Sequence, residues 1–264
     1  MKRAHLGLIL MVLLAPAVAM RQVGAATATG PEDFAFKPHP DAKLPLDARL
    51  MDETGRAVAL SHYFTGEPVV LVLEYLRCKT FCGLTLSGVV TALDPLQLEA
   101  GRDYQFVAVS IDPRDTPAEN AAAKEKYLAL YHHANGAAGI HFLAGAAPEV
   151  RRIADAIGFP YRYDPRVDQY IHPAGFVVAT PRGRISQYIF GVAASPPELK
   201  SAIIDASRQQ AISPLTRFLL LCHVEGVPLG RFTVPVLAAL MTADIAAGLC
   251  LAALFIAIRR RRHG

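Results

Sequence analysis

The sequence predicts an α/β fold, a three-layer sandwich in which helices cover both faces of a central sheet. Three observations lead there. Two Val-rich stretches, Pro68–Leu76 (PVVLVLEYL) and Tyr104–Ile111 (YQFVAVSI), are nearly continuous apolar runs, as strands buried on both faces are. Each is followed by a helical stretch. Later in the chain, two more apolar runs meet across Pro181-Arg182-Gly183, which is tight-turn chemistry, and a final helix follows.

Taken in order, residues 46–64 (LDARLMDETGRAVALSHYF) predict a hairpin turning at Asp52-Glu53-Thr54-Gly55. The strand Pro68–Leu76 comes next, then a Leu- and Val-rich helix over about Thr80–Leu98. The second buried strand, Tyr104–Ile111, leads to a helix that runs to about His132. Thr116 is its expected N-cap, and Pro117 stands in its first turn. Ile140–Leu143 reads as a short strand and Ala147–Ile157 as a helix ended by Gly158. The strands Gly175–Thr180 and Arg184–Phe190 and a helix from Pro196 to Gln209 complete the series. This β-α-β-α…β-β-α order is that of a thioredoxin-like fold.

Both ends read as attachments. Lys2 and Arg3 precede the apolar run Leu6–Leu14, and Ala17-Val18-Ala19 follows with small residues at cleavage spacing, so residues 1–26 are expected to hold a signal peptide. The alternative is an uncleaved anchor, for which the run is short. Residues 27–45 are Pro- and Ala-rich without apolar period and read as a linker. The folded domain is expected over 46–210 and a juxtamembrane segment over 211–233. Residues 234–258 carry one charge, Asp244, and are long enough to span a bilayer with some tilt. The tail 259–264 holds four arginines, which belong on the cytoplasmic side. The domain is therefore expected outside, at the periplasmic face of the cytoplasmic membrane. Six of the 27 basic residues and one of the 23 acidic ones lie outside residues 20–233, so that part is nearly neutral. With no basic, aromatic-interleaved patch, nucleic-acid binding is not expected.

The chemistry-bearing feature is EYLRCKTFCGLTL, residues 74–86. Cys78 and Cys82 stand four apart where the first buried strand gives way to its helix, the strand edge at which α/β proteins build sites. Residues at that spacing share a helix face. Two such sulfurs can close on one metal ion or on each other. In an oxidising compartment the disulfide persists unless something reduces it. A helix N-terminus favours the thiolate, the nucleophilic and metal-binding form. A disulfide across three residues constrains little chain entropy, which argues against a purely structural staple. Soft thiolates suit Cu(I), zinc or iron–sulfur clusters, and two of them leave room for a third ligand. His172, in DPRVDQYIHPAGFVV, is the candidate, because it precedes the strand Gly175–Thr180 and that entry loop packs near the cysteine turn in this fold. Taken alone, His172 would read as a surface-loop histidine. Cys222-His223 is a weaker second pair, since adjacent helical residues do not face one another.

At these residues the chain resembles the Sco/SenC (PrrC-like) family, membrane-anchored thioredoxin-fold copper proteins of respiratory oxidase assembly. The resemblance runs from about Leu44 to Ala206 and rests on CKTFC (78–82), SIDPRDTP (110–117) and DPRVDQYIH (164–172). It implies that Cys78, Cys82 and His172 bind copper, as Cu(I) or Cu(II). It also implies delivery to the dinuclear CuA centre of cytochrome c oxidase subunit II, with a thiol reductant keeping Cys78 and Cys82 from their redox-active disulfide. Asp112 and Asp115 would lie near the site, as supporting residues or as turn and cap formers. The chain departs from the family pattern at Lys79 and Gly83, where proline usually follows each cysteine, and at Pro173, where Ser or Thr is common. Its anchor is expected at the C-terminus, whereas many members carry theirs at the N-terminus, and Leu221–Arg231 resembles a degraded form of the segment before such a span.

Two rival functions use the same cysteines. In a metal-independent thiol–disulfide oxidoreductase, Cys78 would attack a client disulfide and Cys82 would resolve it, with His172 a bystander or proton acceptor. A peroxidase of this fold would want Thr-x-x-Cys beside an arginine, whereas here Thr80 follows Cys78.

Overall fold

The structure is a computed structural model that describes residues 34–39, 42–77, 83–134 and 136–209, with Thr242 beyond them. Its centre is a five-stranded sheet ordered β5-β4-β3-β8-β9. The strands are β3 (Val69–Glu74), β4 (Gln105–Ser110), β5 (Ile140–Leu143), β8 (Gly175–Ala179) and β9 (Ile185–Phe190). β3, β4 and β5 run parallel; β8 is antiparallel to β3 and to β9. The central position of β3 explains its composition: all six residues are buried, so neither face tolerates alternation.

Helices α1 (Gly83–Leu93), α2 (Pro117–Leu128) and α5 (Pro196–Ser207) cover one face. Leu86, Val89, Tyr127 and Leu199 pack there on Val70, Val72, Phe106 and Phe176. Helix α4 (Ala147–Ile157) covers the other, where Val150, Ile153 and Ile157 meet Leu71, Leu73, Val107 and Val177. The alternation of β3 between these two clusters is the period-2 geometry of a strand. A helical turn, α3 (Gly136–Gly139), enters β5.

The first hairpin is present as β1 (Arg49–Met51) and β2 (Ala57–Ala59), followed by a 3-10 turn at Leu60–Tyr63. A second hairpin, β6 (Arg162–Asp164) and β7 (Gln169–Ile171), was not expected from the sequence. It lies just before His172. The helix after β3 is shorter than expected within the described residues, ending at Leu93 and not Leu98, and the helix after β4 ends at Leu128 and not His132. The stretch read as a linker contributes to the core: Phe36 and Leu44 are each 4 % exposed, and Phe36 sets its ring edge-on to Phe159, Tyr188 and Phe190.

Among the described residues no helix is long and apolar enough to cross a membrane. The expected signal peptide, juxtamembrane segment and basic tail lie outside those residues, as does the expected span except for Thr242.

Candidate metal centre

The candidate centre sits at the C-terminal edge of β3. Cys78 and Cys82 lie outside the described residues; the flanking Arg77 and Gly83 lie inside, at the end of β3's extension and the start of α1. Cys222 and His223 also lie outside.

His172 is described in full. Its side chain is 10 % exposed, and its ring stacks on Phe159 at 5.6 Å and meets the edge of Tyr75 at 5.7 Å. Nδ1 lies 2.9 Å from the Pro173 carbonyl oxygen, which can only accept, so Nδ1 carries the proton. Nε2 is then the nitrogen left for other chemistry, the arrangement by which histidine ligands are oriented. It points at the Glu74 carboxylate, with 3.2 Å between Nε2 and Oε1. The imidazole therefore faces the end of the strand that runs into Cys78.

Glu74 is the one carboxylate closing an otherwise Val/Leu strand, a signal the sequence carries only as a charge at the end of an apolar run. Its side chain is 3 % exposed. The Tyr75 N–H lies 3.4 Å from Oε1. Burial pushes the Glu74 carboxyl above its ordinary range, against the pull of His172. Burial presses the His172 imidazole downward, but the hydrogen bond and charge of Glu74 outweigh it and hold the imidazole above its usual value. Both shifts favour keeping a proton between the two groups.

The stretch SIDPRDTP forms a bracket around this edge. Asp115, with its side chain fully buried, accepts from the Leu76 N–H at 2.9 Å, from Arg77 Nε at 3.2 Å and from the Ser110 hydroxyl at 2.6 Å. Asp112, equally buried, accepts from the Arg114 backbone N–H and from its guanidinium at 2.7–3.0 Å. The same guanidinium donates to Asp168 at 3.0 Å in the β6–β7 turn and lies 5.0 Å from the centre of the Tyr163 ring. The motif thus ties down both the segment entering Cys78 and the hairpin leading to His172. Thr116 and Glu119 complete the start of α2 as a reciprocal capping box, and Glu119 also pairs with Arg77 at 3.0 Å. A cleft of about 300 Å³ opens beside Arg77 and Gly83, lined also by Leu86, Lys126 and Tyr127.

Among the described residues no group of three or more His, Cys, Asp or Glu side chains is arranged to hold a metal. His172 and Glu74 supply two donors, one of them a buried imidazole nitrogen suited to copper or zinc.

The SCO1/SenC family model matches residues 39–207. Solved structures share the fold. A protein of Aquifex aeolicus VF5 aligns at 23% identity over 65% of this chain and 96% of its own, with a TM-score of 0.57. A SCO1/SenC family lipoprotein from Bacillus anthracis aligns at 18% identity over 65% and 96%, with a TM-score of 0.52. The copper-bound ScoI of Arabidopsis thaliana aligns at 17% identity over 65% and 99%, with a TM-score of 0.51. A search of curated protein sequences finds no match.

Proposed function

The chain belongs to the SCO1/SenC family, and from that premise we propose that it is a copper metallochaperone acting on the CuA centre of cytochrome c oxidase subunit II. Cys78, Cys82 and His172 hold the copper. The observation that carries this reading is the aim of His172: Nδ1 is occupied by the Pro173 carbonyl and the buried Nε2 faces the end of the strand that continues into Cys78. The copper bound to the Arabidopsis relative supports the choice of metal.

Each protein group has a role in this reading. The thiolates of Cys78 and Cys82 grip a soft ion, and the imidazole adds a third donor. A thiolate of the client can then join the ion before these donors let go. The thiols bind copper only when reduced, so copper occupancy and the Cys78–Cys82 disulfide exclude one another, and a thiol reductant is a necessary partner. Residues 234–258, an almost uncharged run closed by four arginines, anchor the domain at the periplasmic face of the cytoplasmic membrane, with residues 1–26 directing its export.

The test is His172→Ala in the full chain, compared with Cys82→Ser. The chaperone reading expects both variants to lose copper binding and oxidase maturation. If His172→Ala retains copper affinity and maturation while Cys82→Ser abolishes function, the protein is a thiol–disulfide oxidoreductase.

A further inference from the structure

We infer that the cavity beside Glu74 binds one structural water, and that Asn120 steadies the Glu74–His172 pair through it. The water accepts from Asn120 Nδ2 and donates to the Glu74 carboxylate. Neither residue is among the proposed copper donors, and the water site is complete without a metal.

Asn120 stands where an aliphatic side chain would serve. The residues that α2 turns to the core are Asn120, Ala123 and Tyr127, one stripe at helical spacing. Asn120 is only 1 % exposed, and it brings an amide group into that stripe. Its Nδ2 is buried and has no hydrogen-bond partner among the described residues. An unmet buried donor costs its full desolvation, and such groups are ordinarily met by protein or by internal water.

The adjoining space fits that need. A cavity of about 10 Å³ is bounded by β3, β4, α1 and α2, with Glu74, Ser110 and Asn120 as its polar lining and Leu86 and Phe142 among its apolar walls. One water needs about 10–15 Å³ and roughly two to four polar partners, so a second has no room. Asn120 supplies the donor. Ser110 is already committed: its hydroxyl donates to Asp115 at 2.6 Å and accepts the Asp112 N–H at 3.1 Å. Glu74 supplies the acceptor. Its Oε1 has the Tyr75 N–H at 3.4 Å and His172 Nε2 at 3.2 Å, which leaves lone pairs of the carboxylate for a water proton. Donor and acceptor thus face one water from α2 and from the end of β3.

The consequence reaches His172. A further tie on the Glu74 carboxylate fixes the direction in which Oε1 meets Nε2. Asn120, one turn after the Thr116 cap, is then a positioning residue that acts through the water and Glu74.

The chain has two asparagines, Asn120 and Asn135, so 15N-asparagine labelling of the full chain in detergent gives two side-chain amide signals, which Asn120→Leu assigns. In wild type the Asn120 Nδ2 protons are expected to show laboratory-frame and rotating-frame Overhauser cross-peaks to water of opposite sign, the mark of a water held in place. Asn120→Leu removes the donor and fills the cavity. In protein labelled with 15N-histidine, it should move the His172 Nε2 resonance by several parts per million at constant pH. Asn120→Ser, whose hydroxyl still donates to water, should bring the resonance most of the way back. Resolved Asn120 signals without water cross-peaks would overturn the inference. Water cross-peaks in wild type with an unmoved Nε2 in Asn120→Leu would overturn it too, since the water would then do nothing for His172. A shift in Asn120→Ser as large as in Asn120→Leu would mean that side-chain shape and not the water moves the ring, and would also overturn it. Should Asn120→Leu fail to fold, Asn120→Ala removes the donor without added bulk and is read in the same way.

Discussion

Asp115 accepts the backbone N–H of Leu76 at 2.9 Å across 39 positions of sequence, and its other oxygen takes Arg77 Nε at 3.2 Å. One buried carboxylate thus fixes the last two described residues before Cys78. Burial raises the Asp115 carboxyl above its usual range, while the Ser110 hydroxyl and the Leu76 N–H pull it back. Asp115→Ala would leave the Leu76 amide and the Ser110 hydroxyl without this acceptor. We expect a stability loss of about 2 kcal/mol by urea unfolding. Copper affinity should fall about 10- to 100-fold, as for residues that position a ligand. Lost stability with unchanged affinity would show that this contact serves the fold alone.

The second half of the bracket is Arg114 to Asp168. Both side chains are about half exposed, so the pair itself contributes roughly 0–1 kcal/mol. Its value is positional. Asp168 has φ 51°, a left-handed conformation that glycine adopts freely. Asp168→Gly therefore removes the carboxylate without backbone conflict. Stability should drop by no more than about 1 kcal/mol. Amide hydrogen exchange at Tyr163, Tyr170 and Ile171 should quicken several-fold, because the hairpin loses its tie to the β4–α2 loop. Unchanged exchange there would rule out the clasp.

How far these features were legible depends on the range of the interactions that make them. Ile140–Leu143 and Ala147–Ile157 match their sequence boundaries, because an apolar run and a glycine stop are local signals. The Thr116 cap is equally local, with Pro117 and Glu119 beside it. The β6–β7 hairpin was missed because its three-residue strands, RYD and QYI, have no apolar alternation. It is held instead by its cross-strand ladder and by Arg114, far away in sequence. Phe36 was missed for a related reason: a lone aromatic in a Pro-rich stretch shows no period, yet three rings receive it. At the candidate centre, His172 was legible from its place before β8. Glu74 was visible only as a charge ending an apolar strand, and its partner comes from the other half of the chain.

Gly158 links α4 to the centre. It ends that helix at φ 66°, and its carbonyl accepts the Lys37 N–H at 2.7 Å. A Cβ there would lie 1.8 Å from the Lys37 carbonyl oxygen. The next residue, Phe159, is the ring stacked against His172. Gly158→Ala should cost about 3 kcal/mol or more through combined backbone strain and overpacking. A drop in the melting temperature measures that loss. A variant as stable as wild type would mean that residues 34–39 do not pack on this turn.

Acid stability should depend on Glu53, in the turn of the first hairpin. Its side chain is 9 % exposed and lies 2.6 Å from Lys124 Nζ and 3.5 Å from His141 Nδ1, joining the first hairpin to α2 and β5. Burial pushes the Glu53 carboxyl up, but the hydrogen bonds from His141 and Lys124 outweigh it and bring it to about 2, from an ordinary value of 4.5. The folded state therefore holds the ionised form more firmly than the unfolded state does. The resulting stabilisation, on the order of 2 kcal/mol, is complete above the unfolded value and is lost as pH falls from about 4.5 toward about 2. Glu53→Gln should be less stable than wild type at pH 7, and the two should converge as pH falls through that window. Urea unfolding of both proteins at several pH values checks this. A gap that stays constant across the window would show that ionisation of Glu53 is not the source of the stabilisation.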